Sequence, residues 1–185
     1  MVALSLCFPA AVHAHADAGE RRQHDAHVHD VAHLSLISDG AHLRLELQGA
    51  AAGFLGFEHA PQSEDESRAV AALKDRLRAV DSLFQIDAEA RCSLDEIAID
   101  MSGLEHHAEH PYHDDDHHQT FHEGGHADIE AQYDFTCRSI DALGTVAVTL
   151  FDHFPGFETV EAVYLLDDRQ SAQTLRPGRA VLRLR

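Results

Sequence analysis

Apolar and polar residues alternate strictly over a short stretch in the first third of the chain. Every second residue from Leu43 to Leu47 is leucine, and polar side chains stand between them. This period of two is typical of a strand with one buried face. A similar run begins at Val31, and Asp39-Gly40 lies between the two runs, where it is a strong signal for a tight turn. The pattern therefore predicts a β-hairpin.

The period changes to that of a helix over residues 64–80. Ser63 and Glu66 form a capping box, and acidic residues fill the first turn while basic residues fill the last turn. One apolar stripe runs along this segment and consists of Val70, Leu73, Leu77 and Val80. We predict one main helix here.

The remaining chain is mostly strand-like, and Asp167-Asp168 marks a turn between two strands. The predicted strands are residues 94–101, 127–136, 144–151, 160–167, 172–176 and 180–184. These strands do not alternate with helices in the manner of a parallel sheet. The fold class that follows is α+β, an antiparallel sheet with one main helix.

Matching apolar positions also predict how strands 94–101 and 127–136 pair. An antiparallel register aligns Met101 with Ile129, Ile99 with Ala131, and Ile97 with Tyr133. A one-residue β-bulge below Ile97 would then set Leu94 opposite Phe135 and Cys92 opposite Cys137. The segment between the two strands becomes the long tip of this hairpin.

The first 16 residues, MVALSLCFPAAVHAHA, are uncharged and end in A-x-A. They are interpreted as a signal peptide, although a short buried helix is the alternative. Cleavage of the signal peptide would remove Cys7 and leave two cysteines, Cys92 and Cys137. In an exported protein this pair would form a disulfide. The alternative is a pair of thiolate zinc ligands. The uncharged run at the start of the chain is shorter than the roughly 20 apolar residues of a membrane span, and no other stretch comes close, so we expect a protein that is not embedded in the membrane.

The hairpin tip, residues 103–126, holds eight histidines and six acidic residues. Such a tract is a compositional signal for metal binding, since imidazole is a common zinc ligand. A solvated acidic loop and a pH sensor are the alternatives. The candidate ligands in this insert are His106, His107, His110, His113, His117, His118, His122 and His126.

Two further segments carry candidate metal ligands. Residues 17–30 form a polar, flexible arm with His24, His27 and His29, ahead of a folded domain at residues 31–185. Glu58 and His59 stand in GFEHAP, where a turn at the proline would let both reach one metal. The alternatives are a solvent-exposed arm in the first segment and a structural loop in the second.

The net charge is −18, which argues against nucleic acid as a partner and favours a cation. The chain has no G-x-S-x-G elbow, no glycine-rich phosphate loop and no H-E-x-x-H motif. We therefore expect a binding protein and not an enzyme. A metal-dependent hydrolase is the alternative, because three ligands and an open position could be built from these residues.

Several segments resemble one family. They are HDAHVHDVAHLSLISDGAHLRLELQGAAAGFLGFEHAP, the helix after it, the two cysteines flanking the histidine-rich insert, and LFDHFPGFETVEAVYLL. Together they are similar to the ZrgA-like family of periplasmic, zinc-regulated, histidine-rich proteins. The resemblance implies zinc binding in the periplasm and, as in some members, association with an ABC-type zinc importer.

The expected function is that of a monomeric periplasmic zinc-binding protein. It would scavenge or buffer zinc and deliver it to the importer. Copper and nickel are competing ions, because the affinity of imidazole sites rises along the metal series to copper.

Overall fold

The computed structural model describes residues 30–104, 127–167 and 169–184. Within these residues, none of the helices combines the length and apolar character of a membrane span. The described strands are β1 (Val31–Asp39), β2 (His42–Ala50), β3 (Phe84–Ile86), β4 (Cys92–Asp100), β5 (Asp128–Cys137), β6 (Thr145–Val148), β7 (Thr159–Leu166), β8 (Arg169–Leu175) and β9 (Val181–Arg183). The described α-helices are α1 (Ala51–Leu55), α2 (Glu64–Arg78), α3 (Val80–Leu83) and α4 (Leu150–His153).

The predicted signal peptide, the predicted arm as far as His29 and residues 105–126 of the insert lie outside the described residues. The predicted division into a signal peptide, an arm and a folded domain therefore stays a prediction. Inside the described ranges the chain is mostly β, with one long helix and several short ones.

The larger sheet of the described chain has six strands in the order β4-β5-β2-β1-β7-β8. All neighbours are antiparallel except β1 and β7, which run parallel with Val31 beside Thr159. The prediction of a wholly antiparallel sheet is wrong at this pair. The prediction was based on the absence of β-α-β units, which only tests for parallel pairing between strands that are consecutive in the sequence. Strands β1 and β7 are far apart in the sequence, so this test does not apply to them.

A smaller sheet pairs β3, β6 and β9 in the order β3-β6-β9. The sequence predicted a strand over residues 144–151, but β6 ends at Val148 and a helical turn begins at Leu150. Leu150, Phe154 and Phe157 are all buried. Their spacings of four and three residues suit a helical turn, which explains why the strand stops early.

The predicted β1–β2 hairpin is confirmed. Asp39 pairs with His42, and Gly40 takes the positive φ of 57° that the two-residue turn requires. The main helix is confirmed at α2, where the Ser63 hydroxyl accepts a hydrogen bond from the Glu66 N–H. The Glu66 carboxylate accepts from the N–H of Gln62, one residue before the position that a capping box uses.

The predicted pairing of β4 with β5 is also confirmed. Ile99 faces Ala131, Ile97 faces Tyr133, and the register shifts by one residue between Leu94 and Glu96. This bulge sets Cys92 opposite Cys137, and the two form a disulfide bond. The alternative of two thiolate zinc ligands is therefore wrong.

The core lies on one side of the six-stranded sheet. Leu73 and Leu77 of α2 are buried there, and the phenol of Tyr133 packs edge-on against Phe84 of the smaller sheet. The Tyr133 hydroxyl donates a 2.8 Å hydrogen bond to the Leu77 carbonyl, one of the last in α2. This bond satisfies a carbonyl at the helix end and fixes α2 on the sheet.

Candidate metal centre

The arm and the insert join the folded domain at the same end of the six-stranded sheet. Ala32 near the start of β1 lies beside Gly49 near the end of β2, and Gly49 lies beside Ile129 near the start of β5. Adjacent strands are about 4.8 Å apart, so β1 and β5 are separated by about 10 Å here. We call this end of the sheet the histidine end.

Both ends of the insert are held in the core. Leu104 and Ala127, which flank residues 105–126, are only 3% and 2% exposed. A Cβ on Gly103 would lie 2.9 Å from the Cβ of Ala127, so the chain leaves and returns at nearly one point. The insert therefore starts from a fixed base.

The arm is also held at its base. The carbonyl of Asp30 accepts hydrogen bonds of 2.8 and 3.1 Å from the N–H groups of Glu158 and Thr159. These bonds fix the point from which residues 17–29 extend, beside the start of β7.

The segment that leads to Glu58 is attached to both bases. Helix α1 follows β2 directly, and its first N–H, that of Ala51, donates a 2.7 Å hydrogen bond to the Ala127 carbonyl. Phe54 of α1 packs edge-on against Phe154 and Phe157, with ring centroids 5.0 and 4.7 Å away. Helix α1, which leads into GFEHAP, therefore contacts the LFDHFPGFE segment at the histidine end, although the two lie far apart in sequence.

Glu58 and His59 lie in a bent segment after α1, as the proline at position 61 led us to expect. Glu58 is half-buried, whereas His59 is exposed. The Nδ1 of His59 lies 3.0 Å from the Ala60 carbonyl, and its ring stacks on Phe57 at 5.2 Å. Because a carbonyl only accepts, Nδ1 carries the proton in this bond and Nε2 is the nitrogen available to a metal.

The base of the insert is acidic. The Ser102 N–H donates a 2.9 Å hydrogen bond to the Asp100 carboxylate and holds the pKa of this group below its usual value. Burial raises the pKa of Glu130 in the neighbouring strand, and the nearby charges of Glu46 and Asp100 raise it further. Carboxylates grouped in this way create a negative potential that attracts cations.

One histidine outside the predicted set also meets a carboxylate. His33 of β1 has its Nδ1 3.6 Å from the carboxylate of Glu161 on β7, and both side chains are well exposed. No local pattern pairs them, because only the parallel β1–β7 register, which was not predicted, brings them together. Asp152 and His153 lie in α4, directly before Phe154.

The described residues do not contain three histidine, cysteine, aspartate or glutamate side chains close enough to hold a metal. A zinc site takes three or four protein ligands, so Glu58 and His59 would supply at most part of one. The other candidate ligands lie outside the described residues: His24, His27, His29, His106, His107, His110, His113, His117, His118, His122 and His126.

The sequence from residue 26 to residue 184 matches the profile of the family described as ZrgA family zinc uptake protein. The chain belongs to this family. The matched range includes His27, His29, both cysteines and the whole insert, whereas His24 precedes it. A search of the curated proteins finds no match. Family membership ties the chain to zinc uptake and fits the cation that its charge and histidine content favour.

Proposed function

We propose that this member of the ZrgA family binds zinc in the periplasm, buffers it and delivers it to an ABC-type zinc importer. Zinc is the cargo in this proposal, and the protein is a carrier and not an enzyme. The Cys92–Cys137 disulfide supports an oxidising compartment, because such bonds are rare where the cell keeps thiols reduced.

The observation that carries the proposal is the convergence at the histidine end. Backbone hydrogen bonds and adjacent strands join three points of the chain: the base of the arm at Asp30, the base of the insert at Ala127 and the start of α1 at Ala51. Three segments with candidate nitrogen and oxygen ligands therefore start from one small region. Ligands from different segments can then combine around a single ion.

We propose two classes of site. The tighter class takes His24, His27 and His29 of the arm, with Glu58, His59 or His126 completing the coordination. The hydrogen bond from His59 Nδ1 to the Ala60 carbonyl and the stacking on Phe57 orient the His59 ring before the metal arrives. This lowers the conformational entropy that the side chain loses on binding. The remaining insert histidines supply weaker sites, because a chain that wraps an ion must lose its conformational freedom.

Graded affinity suits a carrier. Weak sites in the insert raise the number of ions held and exchange them quickly, and the acidic base of the insert raises the local zinc concentration. The tight site retains zinc when the metal is scarce. A transport partner then takes zinc from this end of the sheet.

Zinc stoichiometry tests this proposal. Equilibrium dialysis of the mature protein against zinc, with a chelator of known affinity as competitor, should show several ions per chain with different affinities. Copper and nickel are titrated in parallel. A single tight zinc ion together with turnover of a model phosphoester would instead identify a hydrolase and contradict the carrier proposal.

A further inference from the structure

Two interior strands of the six-stranded sheet hold His33 and Glu161 side by side. Strand β1 is hydrogen-bonded to β2 and β7, and β7 is hydrogen-bonded to β1 and β8. His33 therefore has Gln48 on one side and Glu161 on the other, and Thr174 lies beyond Glu161. Because each of these two strands has a neighbour on both sides, the backbone fixes the spacing of His33 and Glu161 before any ligand binds.

The pair projects from the face of the sheet opposite the core. The neighbours of both residues along their strands are buried on the core side: Ala32, Leu34, Val160 and Ala162. Since side chains alternate along a strand, His33 and Glu161 point the other way, and each side chain is 59% exposed. We call this surface of the sheet the open face. An ion in solution can therefore reach the pair.

The separation of the two donor atoms matches that of two ligands on one metal ion. The Nδ1 of His33 lies 3.6 Å from Oε2 of Glu161, which is longer than a hydrogen bond. Zinc holds nitrogen and oxygen donors at about 2.0–2.2 Å, so two donors of a tetrahedral site are about 3.4 Å apart. A zinc ion therefore fits between these two atoms after small side-chain rotations.

The two donors have the chemistry that a zinc ion takes. A neutral imidazole with its proton on Nε2 has a free lone pair on Nδ1, and the carboxylate supplies an anionic oxygen. This combination suits zinc, with copper and nickel as competing ions. Two protein ligands leave other coordination positions to water, so the site binds more weakly than one with three or four protein ligands.

The strands around the pair carry negative charge. The row of paired residues that crosses the sheet at this height consists of Asp100, Glu130, Gln48, His33, Glu161 and Thr174. The next row on the open face contains Glu46 and five uncharged residues. Neither of these two described rows contains lysine or arginine, and Arg176 follows Thr174 by two residues. The local charge therefore favours a cation beside Glu161.

We propose that His33 and Glu161 form a zinc site on the open face, in addition to the sites of the arm and the insert. This site rests on the proposed function in one respect, that zinc is the cargo. Water fills the remaining positions, so a ligand from another protein can bind the ion before either protein ligand leaves. The site suits the exchange of zinc with an acceptor, whereas the tight site retains the ion.

A surface ion pair without a metal is the competing explanation. Such a pair requires a protonated His33 and contributes little to stability when both side chains are exposed. A metal site requires an unprotonated Nδ1 and responds to zinc. A zinc-dependent change that saturates at both residues therefore distinguishes the metal site from the ion pair.

Nuclear magnetic resonance of the isotope-labelled mature protein observes this site separately from the others. Zinc is added until the arm and insert sites are full, and the titration then continues. We expect the Nδ1 resonance of His33 and the backbone amides of His33 and Glu161 to shift in one saturable step. The His33→Gln variant assigns the ring resonance and should abolish the step at the Glu161 amide, because the nitrogen donor is gone.

Two substitutions of equal charge separate ligation from a general charge effect. Glu161→Gln should weaken this step by about tenfold or more, a loss that even the hydrogen-bonding neighbours of metal ligands cause. Glu46→Gln is the matched control, since Glu46 lies in the next row and pairs with Ser35. It removes one charge and no ligand, so its effect should be much smaller. The amide spectrum of each variant shows whether it is folded.

The outcomes separate this site from the proposed function. Zinc that fills the arm and insert while the signals of His33 and Glu161 stay fixed would overturn the additional site alone. Equal effects of Glu161→Gln and Glu46→Gln would overturn it too. A step that disappears when all three arm histidines are replaced would make the pair part of the arm site and contradict a separate one. Absence of zinc binding at every site would contradict the proposed function itself.

Discussion

The backbone N–H of Ala51 donates a 2.7 Å hydrogen bond to the carbonyl of Ala127. Ala127 is the residue at which the histidine-rich insert returns to the fold, and Ala51 begins the helix that leads to Glu58 and His59. One bond therefore ties two of the three candidate ligand segments together. The third segment, the arm, starts one strand away at Asp30.

The disulfide should stabilise the fold from the end of the hairpin opposite the insert. Cys92 and Cys137 are 45 residues apart, and closing a loop of this size removes about 4 kcal/mol of chain entropy from the unfolded state. We expect the Cys92→Ser/Cys137→Ser variant to lose about 2–4 kcal/mol in urea unfolding. Reductant should destabilise the parent and leave the variant unchanged; equal midpoints for parent and variant would contradict this role.

The contact between α1 and the FPGF segment depends on glycine. A Cβ on Gly53 would overlap the ring of Phe157, and one on Gly156 would lie 2.5 Å from the Gly53 carbonyl oxygen. Gly53→Ala should therefore destabilise the protein by about 1–3 kcal/mol through overpacking.

Gly56→Ala is the control for this substitution. Gly56 has a φ of 83° and open space around it, so its change costs only the backbone strain of about 1–2 kcal/mol. Thermal unfolding should show that Gly53→Ala lowers the stability. A zinc titration should show that it also lowers the zinc affinity, because it moves the segment carrying Glu58 and His59. Unchanged zinc affinity in a folded Gly53→Ala protein would show that this segment takes no part in the metal centre.

Much of the fold was predictable because local signals and long-range ones agreed. The shared parity of Ile97, Ile99 and Met101, together with the cysteine positions, was enough to predict the β4–β5 register and its bulge. The parallel β1–β7 pair was not predictable, since nothing in either strand records which distant neighbour it takes. The histidine end could not be predicted for the same reason, because its contacts join α1 to Phe154 and Phe157, which lie about a hundred residues later in the sequence.

Glu130 should lower stability at neutral pH. Its pKa is raised in the folded protein, first by burial and then by Glu46 and Asp100, so the folded state holds a proton that the unfolded state has released. Stability is therefore lost as pH rises from the ordinary carboxylate range through the raised pKa. Glu130→Gln should raise the free energy of unfolding slightly at pH 7 and less at pH 4, measured by urea titration. Glu89→Gln, which removes an exposed carboxylate outside this cluster, serves as the charge-matched control.

Zinc binding should be acid-sensitive. A histidine ligand must be deprotonated, and free imidazole has a pKa of about 6.5, so affinity should fall steeply between about pH 7.5 and pH 5. Competition titrations at several pH values measure this directly. An affinity that stays constant over the range would show that carboxylates, and not histidines, carry the sites.

The zinc titration of two matched variants tests the central claim most directly. One lacks residues 105–123 and keeps His126 with the buried residues Leu104 and Ala127 that close the hairpin. The other carries His24→Ala, His27→Ala and His29→Ala in the arm and keeps the insert. Apo thermal unfolding of both variants should match the parent, because both keep every core residue of the described chain. We predict that the deletion binds fewer zinc ions but retains the tightest one, whereas the arm variant loses the tightest ion and retains the weak ones. Loss of all tight binding in the deletion variant, with an intact arm, would contradict the account and place the primary site in the insert.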